Sequence, residues 1–377
     1  MLSPGESSSL LVVAGEASAD AHGARVVGRI KQNLPGVECF GLGRERLAAA
    51  GLVSVADSDA LRVVGISEAL RGLSKIRKVF RRVMQEVDRR RPSAALLIDL
   101  PDFNLRLARK LKKRGVPVVY YVAPQAWAWR KGRVRQLRRR VHRLCVVFPF
   151  EVEFFKSHGV PTEFVGHPLT EGRMPQGETR PNRVAIVPGS RPREIERLLP
   201  ALAKAARILK DKNPDLEFIL PLAPGIVRER VGELLHAAGV EVELAPGGAL
   251  TVLPGSRLAL AASGTATLEA ALAGVPMVVV YRVSRTTYLL VRPIYRLPYV
   301  CIVNILAGRR LVPELLQSRA NAENIARAAQ PLLEDGPRRE GMLAGLREAA
   351  QSLRSDRRPS ERVAGILGGL LEGGGLR

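Results

Sequence analysis

Four short stretches of this 377-residue sequence hold residues whose types and spacing suit work on a negatively charged substrate. In "LLIDLPDFN", Asp99 ends a wholly apolar run and Asp102 follows beyond a proline. A carboxylate at a buried strand end is partly desolvated, which raises its proton affinity and suits a general base. Asp102 fits a helix N-cap better, because NLRLARKL begins just after it, so Asp99 is the functional candidate of the two. In "VVAGEASADAHGA", Gly15, Glu16 and Ser18 lead into a helix through small residues, which let a ligand reach backbone N–H groups where the dipole favours anions. A tight turn capped by Ser18 is the alternative there. In "VPGSRPREIERLL", Gly189 and Ser190 turn a strand into a helix with Pro192 in its first turn. Arg191, beside that helix start, can bind phosphate or diphosphate oxygens through paired hydrogen bonds. In "LALAASGTATLEAALAG", Ser263, Gly264 and Thr265 repeat the arrangement, with Glu269 one turn on along the same helical face. Hydroxyls and amides there can hold phosphate while the carboxylate accepts from ribose hydroxyls, and two such helix starts point to a nucleoside diphosphate. Otherwise Glu269 is incidental on a core helix, an expensive place for an unpaired carboxylate.

A fifth stretch carries charge and aromatic rings. "YYVAPQAWAWRKGRVRQLRRRVHRL", residues 120–144, contains both tryptophans, Trp127 and Trp129, and from Arg130 to Arg143 it is basic with no acidic residue. Formal net charge is +23, which implies a polyanionic partner, whether nucleic acid, anionic lipid or a phosphorylated substrate. An alternative is that much of the excess is solvated helical surface. Residues 63–91 offer a second basic surface, in which Ile76, Val79, Phe80, Val83, Met84 and Val87 recur at helical spacing. This is either a membrane-facing helix or an ordinary amphipathic helix packed on a sheet.

The elements that must position these residues alternate short β-rich runs with helical patterns: SLLVVAG, AALLID and RLCVVF are each followed by a helix and VPVVYYV by the basic stretch, and from residue 183 come RVAIVPG, LEFILPL, VEVEL, LALAASG and PMVVVY. Such alternation predicts parallel, doubly wound sheets, whose strands are apolar throughout because both faces are covered. Ligands on such sheets bind beyond the carboxyl ends of strands, which is where the four loops fall. The polar segment after "EFVGHPL" reads as a linker at 169–182 between two α/β domains, 1–168 and 183–340, with a helical tail at 341–377. Composition fits a soluble globular protein, at 46% hydrophobic residues and no apolar run long enough to span a bilayer. The first residues lack a basic n-region, so a cytoplasmic location is expected. Cys39, Cys145 and Cys301 are far apart in apolar surroundings and read as reduced core residues, with no metal or redox site.

In combination, "VAGEASAD", "IDLPDFN", "YVAPQAWAWRKGRV", "GHP", "PGSRPREIE", "ASGTATLEAALAGVPMVVVYR" and "NILAGRRLVPELLQ" resemble the lipid-A-disaccharide synthase family of GT-B glycosyltransferases, over most of the chain up to about residue 320. The resemblance implies two Rossmann-like domains facing across a cleft. It implies inverting transfer of 2,3-diacylglucosamine from its UDP donor to the 6-hydroxyl of 2,3-diacylglucosamine 1-phosphate, without metal or other cofactor. Asp99 matches the family's base, Glu16 and Arg191 are the other catalytic matches, and Glu269 would hold ribose. Gly15, Ser18, Asp102, Asn104, Trp127, Trp129, Arg130, His167, Gly189, Ser190, Ser263, Gly264, Thr265, Tyr281, Asn304 and Arg309 carry over as substrate-binding positions, the last two without individual roles. The implied partners are the two lipid substrates and an anionic membrane surface, contacted peripherally on the inner face of the inner membrane. Nucleic acid is not among them. The family also suggests a homodimer, and the tail either packs back on the N-terminal domain or is exchanged in that dimer. One departure is Ala19, where the family usually has glycine; a required positive φ there would distort the loop. The rival enzymes are other UDP-sugar GT-B proteins, a cell-wall N-acetylglucosaminyltransferase or a UDP-sugar epimerase. The rival of another class is a basic RNA-binding protein, against which stands the lack of RRM, KH or OB signatures.

Overall fold

A computed structural model describes residues 8–57, 69–127, 132–172, 180–284 and 297–372. They form two compact units, Met1–Glu171 with Arg354–Arg377, and Gly172–Leu353. Unit 1 is built on a seven-stranded parallel sheet in the order β3-β2-β1-β4-β5-β6-β7. Its strands are β1 (Ser9–Ala14), β2 (Glu38–Leu42), β3 (Val53–Ser54), β4 (Ala94–Ile98), β5 (Val118–Tyr121), β6 (Arg143–Val146) and β7 (Thr162–Phe164). The central strands are apolar without interruption because both faces are covered: Leu10, Val12, Ala14, Leu96 and Ile98 point to one core, and Leu11, Val13, Ala95 and Leu97 to the other.

The second of those cores is closed by α3 (Ala69–Arg90), α4 (Pro101–Lys112), α5 (Gly132–Arg140) and Phe155 of α6 (Pro149–Ser157). Val79, Val83 and Val87 of α3 are buried against the sheet, Ile76, Phe80 and Met84 pack beside them, and Phe80 meets Phe103 edge-on at 5.4 Å. The apolar stripe of residues 76–87 is therefore a core-packing face, not one free to enter a bilayer. The other core is closed by α1 (Ala17–Asn33), by Leu47 of α2 (Glu45–Ala49) and by the last helix of the chain, α13 (Pro359–Leu371). Val363, Ala364, Leu367 and Leu371 of α13 are buried there, the valine and leucines each worth about 1.5–3 kcal/mol when removed from water.

Unit 2 carries a six-stranded parallel sheet, β10-β9-β8-β11-β12-β13. The strands are β8 (Arg180–Val187), β9 (Glu217–Leu222), β10 (Glu243–Pro246), β11 (Ser256–Ala262), β12 (Met277–Tyr281) and β13 (Glu314–Leu316). Its helices are α7 (Pro192–Lys212), α8 (Arg228–His236), α9 (Thr265–Leu272), α10 (Ile302–Ala307), α11 (Ala322–Leu333) and α12 (Pro337–Ser352). The helical segment expected as one tail at 341–377 is thus divided: α12 belongs to unit 2, and α13 returns to unit 1 because its apolar face completes that unit's core. The expected linker is shorter than 169–182, since Pro168–Thr170 form a helical turn and β8 begins at Arg180; residues 173–179 lie outside the described ones. The three cysteines are free and buried. No described helix is long and apolar enough to cross a membrane.

Candidate active site

In unit 1 the loops that follow β1, β4, β5 and β6 gather at one edge of the sheet. β4 ends at Ile98, and the next two residues, Asp99 (φ 48°) and Leu100 (φ 47°), adopt left-handed backbone, a conformation that costs roughly 1–2 kcal/mol per residue bearing a side chain. Leu100 takes the N-cap position of α4 with Pro101 at N1. Asp102, expected as the cap, instead lies inside the first turn and pairs with Arg133 Nη2 at 2.8 Å. Asp99 is largely buried; burial holds its carboxyl above the ordinary carboxylate range, the charge of Glu16 adds to this, and a hydrogen bond from the Leu100 backbone and the Arg133 guanidinium oppose it. The family reading of Asp99 as a base meets an environment that raises its proton affinity.

Glu16 and Ser18 are exposed at the start of α1. Gly15 lies under Leu100, whose Cδ2 would stand 2.9 Å from a β-carbon there, so a side chain at residue 15 would have to displace the end of Leu100. Ala19 is inside α1 without positive φ, and the distortion expected from the missing glycine does not arise. The aspartate of the same motif, Asp20, is buried and accepts from the N–H groups of Arg44, Arg46 and Leu47, which anchors the start of α2.

Several residues expected to touch substrate are engaged within the fold. Trp127 donates its indole N–H to Glu151 Oε1 at 2.9 Å and packs edge-on against Phe150. Glu151 is buried, and burial pushes its carboxyl up to about 7 against the hydrogen bonds from Trp127 and from the Phe148 and Val147 N–H groups. His167 Nδ1 accepts from Leu169 N at 3.2 Å; burial and the neighbouring His22 lower its pKa to about 3, so it stays neutral and offers a phosphate no charge. Asn104 is fully buried and donates to the carbonyls of Ile98 and Asp99. Trp129 and Arg130 lie outside the described residues.

In unit 2, β8 and β11 are adjacent, so the helix starts that follow them lie side by side. Gly189 (φ 115°) makes the turn after β8, Ser190 is exposed, and Arg191 is the N-cap residue of α7 with 75% of its side chain exposed. Arg191 Nη1 pairs with Glu194 Oε1 at 3.1 Å, and Glu194 Oε2 would be 2.6 Å from a β-carbon on Gly189. A carboxylate thus occupies the ground that the glycine leaves open. Ser263 follows the last residue of β11, Gly264 is the N-cap residue of α9, and Thr265 is exposed at its first position. Glu269 sits one turn on; burial raises its proton affinity, and its carboxylate has no hydrogen-bond or ion-pair partner among the described residues. Tyr281, at the end of β12, is partly exposed; its hydroxyl is raised by burial and by Glu194, and lowered by Arg191 and Arg197.

Asn304 and Arg309, carried over without individual roles, differ in their surroundings. Asn304 is 0% exposed: Nδ2 donates to Val312 O at 3.0 Å and to Glu314 Oε1 at 2.7 Å, while Oδ1 accepts from Val312 N at 2.8 Å. Its amide is spent on tying α10 to β13. Arg309 is exposed and faces α12, 3.6 Å from Glu348. Arg133 is one of many cations in its stretch, and neither Glu194 nor Tyr120, an ordinary strand residue by type, stands out in the sequence. For Glu151 a signal existed, since an acidic residue three positions past a helix entry is the second half of a capping box.

Comparison with known proteins adds to this geometry. The family model described as Lipid-A-disaccharide synthetase matches residues 10–365. A lipid-A-disaccharide synthase of Anaeromyxobacter dehalogenans is 44% identical over 382 residues, covering 97% of this chain and 100% of the relative. One from Myxococcus xanthus is 43% identical over 351 residues, covering 90% and 91%. Among solved structures, a UDP-GlcNAc 2-epimerase from Neisseria meningitidis bound to UDP-GlcNAc has a TM-score of 0.61 at 13% identity, with 97% of this chain and 99% of the other covered. The calicheamicin glycosyltransferase has 0.62 at 16%, with 99% and 100% covered. These structural likenesses give the fold, the two-sheet plan shared by GT-B glycosyltransferases and sugar epimerases.

Proposed function

Because the chain belongs to the lipid-A-disaccharide synthetase family and is a glycosyltransferase that forms the lipid A disaccharide, we propose how its residues divide that work. Asp99 takes the proton from the 6-hydroxyl of 2,3-diacylglucosamine 1-phosphate as that oxygen attacks the anomeric carbon of UDP-2,3-diacylglucosamine. The bond from that carbon to the β-phosphate oxygen breaks, its electron pair leaves with UDP, and one displacement inverts the centre to a β-1,6 linkage. The observation that carries this reading is Asp99 itself, a largely buried carboxyl of raised proton affinity just past the end of a central strand. Glu16 sharpens that affinity through its charge. In unit 2 the amides at the starts of α7 and α9 and the Arg191 guanidinium take up the charge on departing UDP without a metal ion, and the unpartnered Glu269 accepts from ribose.

The acceptor's lipid nature gives the basic surface a role. The layer of α3, α4 and α5 exposes Lys75, Arg77, Lys78, Arg81 and Arg82, then Arg106, Arg109, Lys110 and Lys112, then Arg135, Arg138 and Arg139. Burial above all, and then the charges of Arg109 and Arg139, lower the pKa of Arg140. This layer is the peripheral docking face for anionic headgroups at the cytoplasmic surface of the inner membrane. Replacing its exposed basic residues should release the protein from anionic vesicles and leave UDP affinity intact; unchanged vesicle binding would exclude the face. The transfer itself is tested by mass spectrometry of the product from the two lipid substrates, in EDTA, with wild type beside Asp99→Asn and Arg191→Ala. Disaccharide should form with the wild type alone. Full activity of both variants, or collapse of wild-type turnover in EDTA, would overturn the assignment.

A further inference from the structure

We propose that Tyr120 and Asn104 are positioning residues that hold the Asp99 carboxylate in place for proton transfer by bracing a backbone turn unable to keep its shape unaided; the proposal rests on the reading of Asp99 as the base. Five described non-glycine residues have positive φ, and three of them, Asp99, Leu100 and Val122 (φ 65°), lie at the carboxyl ends of the adjacent strands β4 and β5. Aspartate is among the side-chain-bearing residues that tolerate this conformation, but for leucine and for β-branched valine it is an outlier. Backbone of this kind persists only where its surroundings over-determine it, and it gathers at sites of function.

The surroundings that fix it are specific. The Tyr120 hydroxyl donates to Asp99 O at 2.5 Å, and Asn104 Nδ2 donates to the same oxygen at 2.8 Å and to Ile98 O at 3.1 Å. Asp99 N donates to Tyr121 O at 3.0 Å. The peptide groups on either side of the Asp99 α-carbon are thus gripped from within the core. Both Tyr120 and Asn104 are fully buried, so neither is placed to touch substrate, and every hydrogen bond Asn104 makes through its amide goes to these two carbonyls. Strand alternation would send residue 99 to the core beneath α3 and α4 with Ala95 and Leu97; the left-handed turn ends that alternation. Without the two donors, Asp99 and Leu100 relax toward ordinary backbone and the carboxylate moves.

Tyr120→Phe removes one hydroxyl and keeps the ring, so it is the decisive variant. In the full chain it should lower kcat about 10- to 100-fold, the loss that a small misplacement of a catalytic group produces. KM for both substrates should stay within about twofold. Adding Leu100→Asn to Tyr120→Phe should recover much of the lost kcat, because asparagine adopts left-handed backbone more readily and restores the turn from within. Wild-type kcat in Tyr120→Phe, or a loss that Leu100→Asn leaves untouched, overturns the brace. Asp99→Asn, assayed beside them, separates the two claims: if it is inactive while Tyr120→Phe is unimpaired, the base stands and the brace falls, and if it is active, the base reading falls.

Discussion

Asn304→Ala tests whether a residue carried over from the family pattern meets the nucleotide or holds the protein together. The substitution deletes three hydrogen bonds of 3.0, 2.7 and 2.8 Å in a site closed to water. Val312 then loses partners for both its N–H and its carbonyl. Glu314 Oε1 keeps only the Cys301 N–H, and Oε2 keeps that of Val300. A buried polar group left unpaired costs about 1–3 kcal/mol, so two such groups and the space left by the amide sum to about 3–5 kcal/mol. In a domain of this size roughly 1 kcal/mol lowers the melting temperature by about 2–4 °C, which puts the expected fall near 10 °C. The assay is a thermal melt beside a calorimetric titration with UDP, run well below the transition. The transition of unit 2 should drop as stated while the UDP Kd changes less than about threefold. An unchanged melt with UDP affinity reduced tenfold or more would refute the reasoning, since the amide would then be facing the ligand.

Other outcomes follow from the site. The Arg191–Glu194 pair is exposed, so it is worth under about 1 kcal/mol, and Glu194→Gln should free the guanidinium and tighten UDP binding up to roughly fivefold by titration. Because the Glu16 charge raises the Asp99 pKa, Glu16→Gln should move the acid limb of the kcat/KM profile to lower pH; a shift to higher pH would contradict the assignment. Glu151 binds its proton more tightly folded, at about 7, than unfolded, so it adds stability as pH falls from about 7 toward its ordinary value and loses that gain as pH rises through 7. Thermal melts of Glu151→Gln across that window should lack this component, and an unaltered pH dependence would show that the carboxyl is not the source.

Much of this was legible in the sequence because its signals are local. The apolar runs before Gly15, Asp99, Gly189 and Ser263 mark strands, and the abrupt change to small or charged residues marks their carboxyl ends, where parallel sheets bind ligands. What was not legible depends on partners distant in the chain. Asp102 looks like a cap until Leu100 is seen in left-handed backbone at that position. Trp127 looks free to meet a ligand until Glu151, 24 residues on, takes its N–H. Asn304 is indistinguishable from a ligand-binding amide until Glu314 and Val312 fold over it. The stripe from Ile76 to Val87 announces a helix but not which neighbour covers it, and only the contact with Phe103 and the sheet decides that.

The return of α13 to unit 1 bears on how the protein is made. A ribosome releases every strand of the first sheet early, yet the segment that covers one of its faces emerges only after the whole of unit 2 has been synthesised. Unit 2, contiguous in the chain, can finish first, while the nascent N-terminal half waits with Val363, Ala364, Leu367 and Leu371 still to come. A transcript cut short before residue 359 would yield a chain whose apolar face stays partly uncovered beside α1, a natural client for chaperones or proteases.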